Sequence, residues 1–161
     1  MEQKEKFSLK DHLFNEAKVQ KITKEIAQVH SSFKKSAFVK ETVQAFRNLG
    51  LKERIFHIRE MLKKYLPEDY KDAIKVLLSS LPEELDPTKE DDDFGDFIYA
   101  PYGDFVATYG KDAKNLKISL QALHEITRRF SCEDAIRSFI NNHQEETLKT
   151  LEKWTKDKNY H

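Results

Sequence analysis

One cysteine, one tryptophan, four glycines and four prolines in 161 residues close off several classes of protein at once. A lone cysteine excludes an internal disulfide and fits a reducing compartment, so the cytoplasm is the expected location. Scarce glycine and proline argue against a turn-rich sheet protein, and with charged residues at 35% they favour amphipathic helices with solvated outer faces. No apolar run approaches the roughly 18 residues of a membrane span. The opening Met-Glu-Gln-Lys-Glu-Lys has no apolar stretch behind it, and no secretory signal is expected.

Net charge is also missing, at zero, which is a weak credential for a nucleic-acid binder because phosphate contacts dominate such affinity. The average conceals an asymmetry. Residues 83–96 hold eight acids against Lys89 alone, and the rest of the chain keeps a basic surplus of seven. A run of like charges reads as a solvated loop, here bounded by Pro82, Pro87 and Gly95 over about 82–96.

What is present is helical periodicity. Val19, Ile22, Ile26 and Val29 predict a helix over about 15–29, broken at Ser31-Ser32. A second carries Phe38, Val39, Val43 and Phe46, with Ser36 as its cap and Gly50 as a left-handed stop. Leu51, Ile55, Ile58, Leu62 and Tyr65 mark a third, ended by Pro67, and Tyr70, Ile74 and Leu77 a fourth over about 68–80. Beyond the loop, helices are expected over about 97–109, 113–130, 132–142 and 144–156, with Gly110 ending the first and Ser131 capping the third. No stretch alternates with period two. The pattern is all-α: a single domain, residues 1–161, of helix pairs spaced as in HEAT-like or armadillo-like solenoids, with a concave face for a partner.

Several motif matches fail on context. Asp93-Phe94-Gly95 spells the kinase metal-binding triplet without the accompanying loops. The acidic run does not fit a calcium loop, because Phe94-Gly95 interrupts the ligand alternation and Tyr102 would fill its last position. Six scattered histidines pair neither with one another nor with Cys132, so no metal or cofactor is expected. Trp154 lies on an apolar helical face and reads as core.

The stretch Leu123-His124-Glu125-Ile126-Thr127-Arg128-Arg129-Phe130-Ser131-Cys132-Glu133-Asp134-Ala135-Ile136-Arg137-Ser138-Phe139 resembles a pattern of the AlkC branch of the alkylpurine DNA glycosylases: Leu-x-Glu-Leu-Thr-x-Arg-Phe, Ser or Thr, then x-Glu-x-Ala-Ile-Arg-x-Phe. Supporting matches are Leu13-Phe14-Asn15, Ala37-Phe38-Val39, His57-Ile58, Phe94-Gly95-Asp96-Phe97, Pro101 with Phe105-Val106, and Leu148-x-x-Leu151-x-x-Trp154. The resemblance implies a HEAT-like superhelix that binds double-stranded DNA and releases cationic alkylated bases such as 3-methyladenine. Breaking the N-glycosidic bond develops positive charge on the deoxyribose, which a fixed carboxylate stabilises. The matching position is Glu133, whose other reading is a first-turn acid facing its own helix dipole. Arg137, one turn on, either pairs with Glu133 or contacts phosphate. Arg128 and Arg129 are further candidates for the DNA backbone, with Lys34, Lys35, Arg54 and Arg59 behind them, while Glu125 reads as structural.

After Lys156-Asp157-Lys158-Asn159-Tyr160-His161 the family continues into a Val-Arg-Arg-Leu helix and a Ser-Glu-Gly-Thr-Arg-Pro-x-Leu-Pro-Trp segment that carries further site residues. The resemblance therefore implies the first half to two-thirds of such an enzyme, with little glycosylase activity of its own. The reading from a different class is a non-catalytic helical scaffold that binds DNA or protein.

Overall fold

The computed structural model describes residues 7–86 and 95–158. The expected core of the acidic run, including Asp91, Asp92, Asp93 and Phe94, and the terminal Asn159, Tyr160 and His161 lie outside the described residues. Among those described there are nine α-helices: α1 (Leu9–Leu13), α2 (Glu16–Val29), α3 (Lys35–Ala45), α4 (Leu51–Tyr65), α5 (Tyr70–Ser79), α6 (Ala100–Tyr109), α7 (Leu116–Thr127), α8 (Glu133–Asn142) and α9 (Gln144–Trp154). No strand is found among them, only one antiparallel bridge between Gly95 and Phe130.

The helices form two layers. One runs α2, α5, α7, α9 and the other α3, α4, α6, α8, each helix touching the next in its row. The chain crosses between layers at α2–α3 and stays in the second layer into α4. From there each pair starts in the second layer and returns to the first. The expected stripes meet between the layers: Ile22, Ile26, Phe38, Ile58, Leu62, Leu77, Phe105, Leu123, Ile126 and Phe139 are buried. This is the helical-repeat architecture that the periodicity predicts. Val29 and Leu148, which also fit the period, are exposed.

Several helix ends differ from expectation. Asn15 caps α2 by accepting from the Lys18 N–H at 3.0 Å, and Asp69 caps α5 through the Asp72 N–H at 3.1 Å. Ser36 and Ser131 cap nothing: α3 starts one residue before Ser36, and Cys132 occupies the cap position of α8 without a side-chain bond. Gly50 is no left-handed stop. Its φ is −76°, and it starts α4, with its N–H donating to the Glu53 carboxylate at 2.6 Å. Gly110 ends α6 as expected, for a packing reason: a Cβ there would lie 1.9 Å from the Tyr70 hydroxyl and 2.3 Å from Ser119 Oγ.

The start of the acidic run is docked rather than solvated. The Leu85 N–H donates to the Arg128 carbonyl at 2.9 Å, and Glu84 pairs with Arg128 at 2.7 Å. Gly95, at φ +79°, places its backbone where a Cβ would stand 1.9 Å from the Arg129 carbonyl oxygen. Beyond it, Asp96 pairs with Lys18 at 2.9 Å and the Tyr99 hydroxyl donates to Glu25 at 2.9 Å, which fastens this segment to α2.

Candidate functional site

Glu133 opens α8, where the helix dipole favours a carboxylate. The apolar side of α8, Ala135 and Phe139, is buried against α6, so the first turn emerges at the edge of the second layer. There it walls a groove of about 470 Å³ between α4, α6 and α8. Lys52, Ile55 and Phe56 line the groove from α4 and Asp104 lines it from α6, and Phe97 and Phe130 line it as an edge-to-face pair at 4.8 Å. Glu133 is exposed, and among the described residues no hydrogen bond or ion pair reaches its carboxylate. Cys132, beside it, is buried, which pushes its thiol up to about 12 and keeps it protonated.

Arg137 shares the exposed side of α8, but its ion pair is with Asp134, at 3.5 Å, and not with Glu133. The expected i, i+4 pair is therefore absent, and the neighbouring acid takes the arginine. Arg128 and Arg129 are engaged inside the molecule. Arg128 bonds Glu84 at 2.7 Å and Asp157 at 3.0 Å. Arg129 donates to the Pro82 carbonyl at 2.8 Å and to the Glu125 carbonyl at 3.0 Å. Together they clamp the segment after α5 and the end of the chain onto the C-terminus of α7. Glu125 belongs to this clamp, lying 3.5 Å from Arg129. Trp154 packs half-buried against the His124 ring at 4.9 Å, as a core-side residue.

Lys34 and Lys35 are exposed near the start of α3, away from the groove. Arg54 is a correction to the list of phosphate candidates, because it is 3% exposed and donates to the carbonyls of Lys10, Phe14 and Phe46. Arg59 is likewise held, by Asp104 at 2.9 Å, Glu60 at 2.9 Å and Thr108 at 3.3 Å.

Three groove residues escaped sequence reasoning: Lys52, Phe56 and Asp104. Lys52, Phe56 and Arg59 follow one another at i, i+4 and i+7 on α4, a spacing that marks a shared face once the buried stripe is subtracted. Asp104 carried no such signal. Burial pushes its carboxyl above the ordinary aspartate value, and the nearby Arg59 guanidinium only partly offsets this. Among the described residues, no group of three or more histidine, cysteine, aspartate or glutamate side chains has metal-binding geometry. No helix among them is long and apolar enough to cross a membrane.

No family model matches the chain. A Bacillus subtilis (strain 168) protein, the uncharacterized YhaZ, is 25% identical over 150 residues, covering 92% of this chain and 39% of that protein. In three dimensions the chain matches the Pseudomonas fluorescens alkylpurine DNA glycosylase AlkC, solved bound to DNA containing an abasic site analog. The TM-score is 0.76 and the identity 25%, over 95% of this chain and 39% of that one. The AlkC resemblance read from the sequence is thus borne out in the fold. The chain spans about two fifths of the length of both proteins, less than the half to two-thirds expected.

Proposed function

We propose that this chain forms the helical-repeat part of a base-excision glycosylase that hydrolyses the N-glycosidic bond of cationic alkylated bases, 3-methyladenine among them, in double-stranded DNA. One observation carries the reading. In a fold shared with a DNA-bound alkylpurine glycosylase, the Glu133 carboxylate, without a partner among the described residues, lines a groove at a helix N-terminus.

The chemistry follows from charge. A ring-methylated purine is already cationic and departs as a neutral base, so its departure leaves the positive charge on the sugar. A carboxylate at the groove wall stabilises that oxocarbenium-like sugar and orients the attacking water. Arg137, exposed one turn further along and held only by a surface ion pair at 3.5 Å, is free to exchange Asp134 for a phosphate. Arg128 and Arg129 act behind this surface by fixing the clamp that positions the start of α8.

Two measurements test the reading. The first is binding of this chain to a short duplex carrying an abasic-site analogue, expected to weaken with salt. The second is release of methylated base from methylated DNA, by the chain alone and fused to the remaining part of AlkC. Glu133→Gln should lower release about 100-fold while leaving binding in place. Unchanged release in the variant removes Glu133 from the chemistry. Salt-dependent binding with no release from either form favours the second reading, a DNA-binding scaffold.

A further inference from the structure

Phe56 is 45% exposed in the middle of a helix whose adjacent positions bury Arg54, Ile58 and Leu62. A single exposed apolar side chain is ordinary and carries nothing by itself. Three further facts set this one apart. It lines the same groove as Glu133. The Arg59 guanidinium lies over its ring at 5.2 Å, and that arginine is itself fixed by Asp104 and Glu60, both at 2.9 Å. One turn earlier Lys52 also lines the groove, exposed and without an ion-pair partner among the described residues.

We propose that Phe56 is the aromatic contact against which a nucleotide of bound DNA packs, through its base or the apolar edge of its deoxyribose, with Lys52 taking an adjacent phosphate. The inference rests on the DNA-glycosylase reading above. A guanidinium covers part of the ring, so the area left open belongs to the groove. Every base has a π-face, so such a contact tolerates any sequence, and a nearby lysine suits the phosphate beside it. Holding the ring through Arg59 and Asp104 lowers the ordering cost of the contact. Phe56 thereby fixes where the strand lies relative to Glu133, a positioning and specificity role.

The test is the affinity of the 161-residue chain for a short duplex with an abasic-site analogue and for its undamaged counterpart, across a range of salt. Phe56→Ala should weaken binding about tenfold, the order expected for one base–aromatic contact. Phe56→Leu should fall between, and Phe56→Tyr should match the wild type. The dependence of log affinity on log salt should stay unchanged in all three, because no charge is removed. Thermal unfolding of the Leu and Tyr variants close to wild type keeps the comparison clean, given the exposure of the side chain. Wild-type binding with Phe56→Ala within twofold of it overturns the Phe56 assignment and leaves the DNA reading intact. Failure of the wild type to bind either duplex at low salt overturns the DNA reading itself, and Phe56 with it.

Discussion

Arg54 donates to three main-chain carbonyls from three segments: Lys10 in α1, Phe14 just before α2 and Phe46 after α3. Its remaining reach takes in Asp11 at 2.7 Å. Removing the side chain leaves the Phe14 carbonyl without its donor and takes one of two bonds from the Lys10 and Phe46 carbonyls, so Arg54→Ala should cost about 2–4 kcal/mol in urea-monitored unfolding. Arg54 shares the buried face of Ile58 and Leu62 at i, i+4 and i+8, a spacing that its charge overrode when it read as a phosphate candidate. Carboxylates show the same dependence on surroundings with opposite signs. Hydrogen bonds from Ser8 and then Arg54 hold the Asp11 carboxyl below its usual range. Its contribution to stability is therefore present above the unfolded pKa of about 3.9 and lost as pH falls through the lower folded value. Burial raises the carboxyl of Asp104, so its contribution is complete below about pH 3.9 and is lost as pH rises through the folded value. Stability profiles should show Asp11→Asn flattening the acid limb of the curve, and Asp104→Asn flattening a fall on the other side. Identical slopes in wild type and both variants would contradict the two assignments.

At the scale of elements, the long helices were legible because their buried stripes recur at three and four residues. Ile22 and Ile26, Ile58 and Leu62, Leu123 and Ile126 all reach the core. Helix ends were less so, since a serine caps only where the backbone turns its hydroxyl toward free N–H groups, and Ser36 and Ser131 sit beside that turn. Leu9–Leu13 was missed because five residues are too few to show a period. The Gly95 match was legible only as a motif, and its physical reason is tertiary: positive φ and close contact with the Arg129 carbonyl. Gly95→Ala should cost about 2 kcal/mol through strain and displacement. In a chain of this size that corresponds to roughly 4–8 °C in Tm, read by thermal unfolding. Because Gly95 bridges to Phe130, which lines the groove, the same variant should also weaken duplex binding. An unchanged Tm would mean that the bridge between the loop and α7 is dispensable.

For the whole molecule, the two layers bring to one groove residues far apart in the chain, Lys52 and Glu133 among them at 81 positions. That juxtaposition is invisible to any local pattern. The resemblance singled out Glu133 as an isolated position, and only the packing of α4, α6 and α8 supplied its surroundings. It also sorts the cations. Arg54, Arg59, Arg128 and Arg129 are held by internal carbonyls and carboxylates, whereas among the described residues Lys52 has no ion-pair partner and Arg137 has an exposed one alone. A neutral chain with Lys52 at its groove and Arg137 on the exposed side of α8 should therefore bind duplex DNA with a shallow salt dependence, a log–log slope of about −2 at roughly 0.9 per phosphate contact. Lys52→Gln and Arg137→Gln should each remove about one unit of that slope. Arg128→Gln should leave the slope alone and lower the unfolding midpoint instead, since its loss removes one partner each from Glu84 and Asp157. If Arg128→Gln flattens the slope while Lys52→Gln does not, the DNA path runs over the end of α7 rather than along α4, and Glu133 faces the strand from the opposite side.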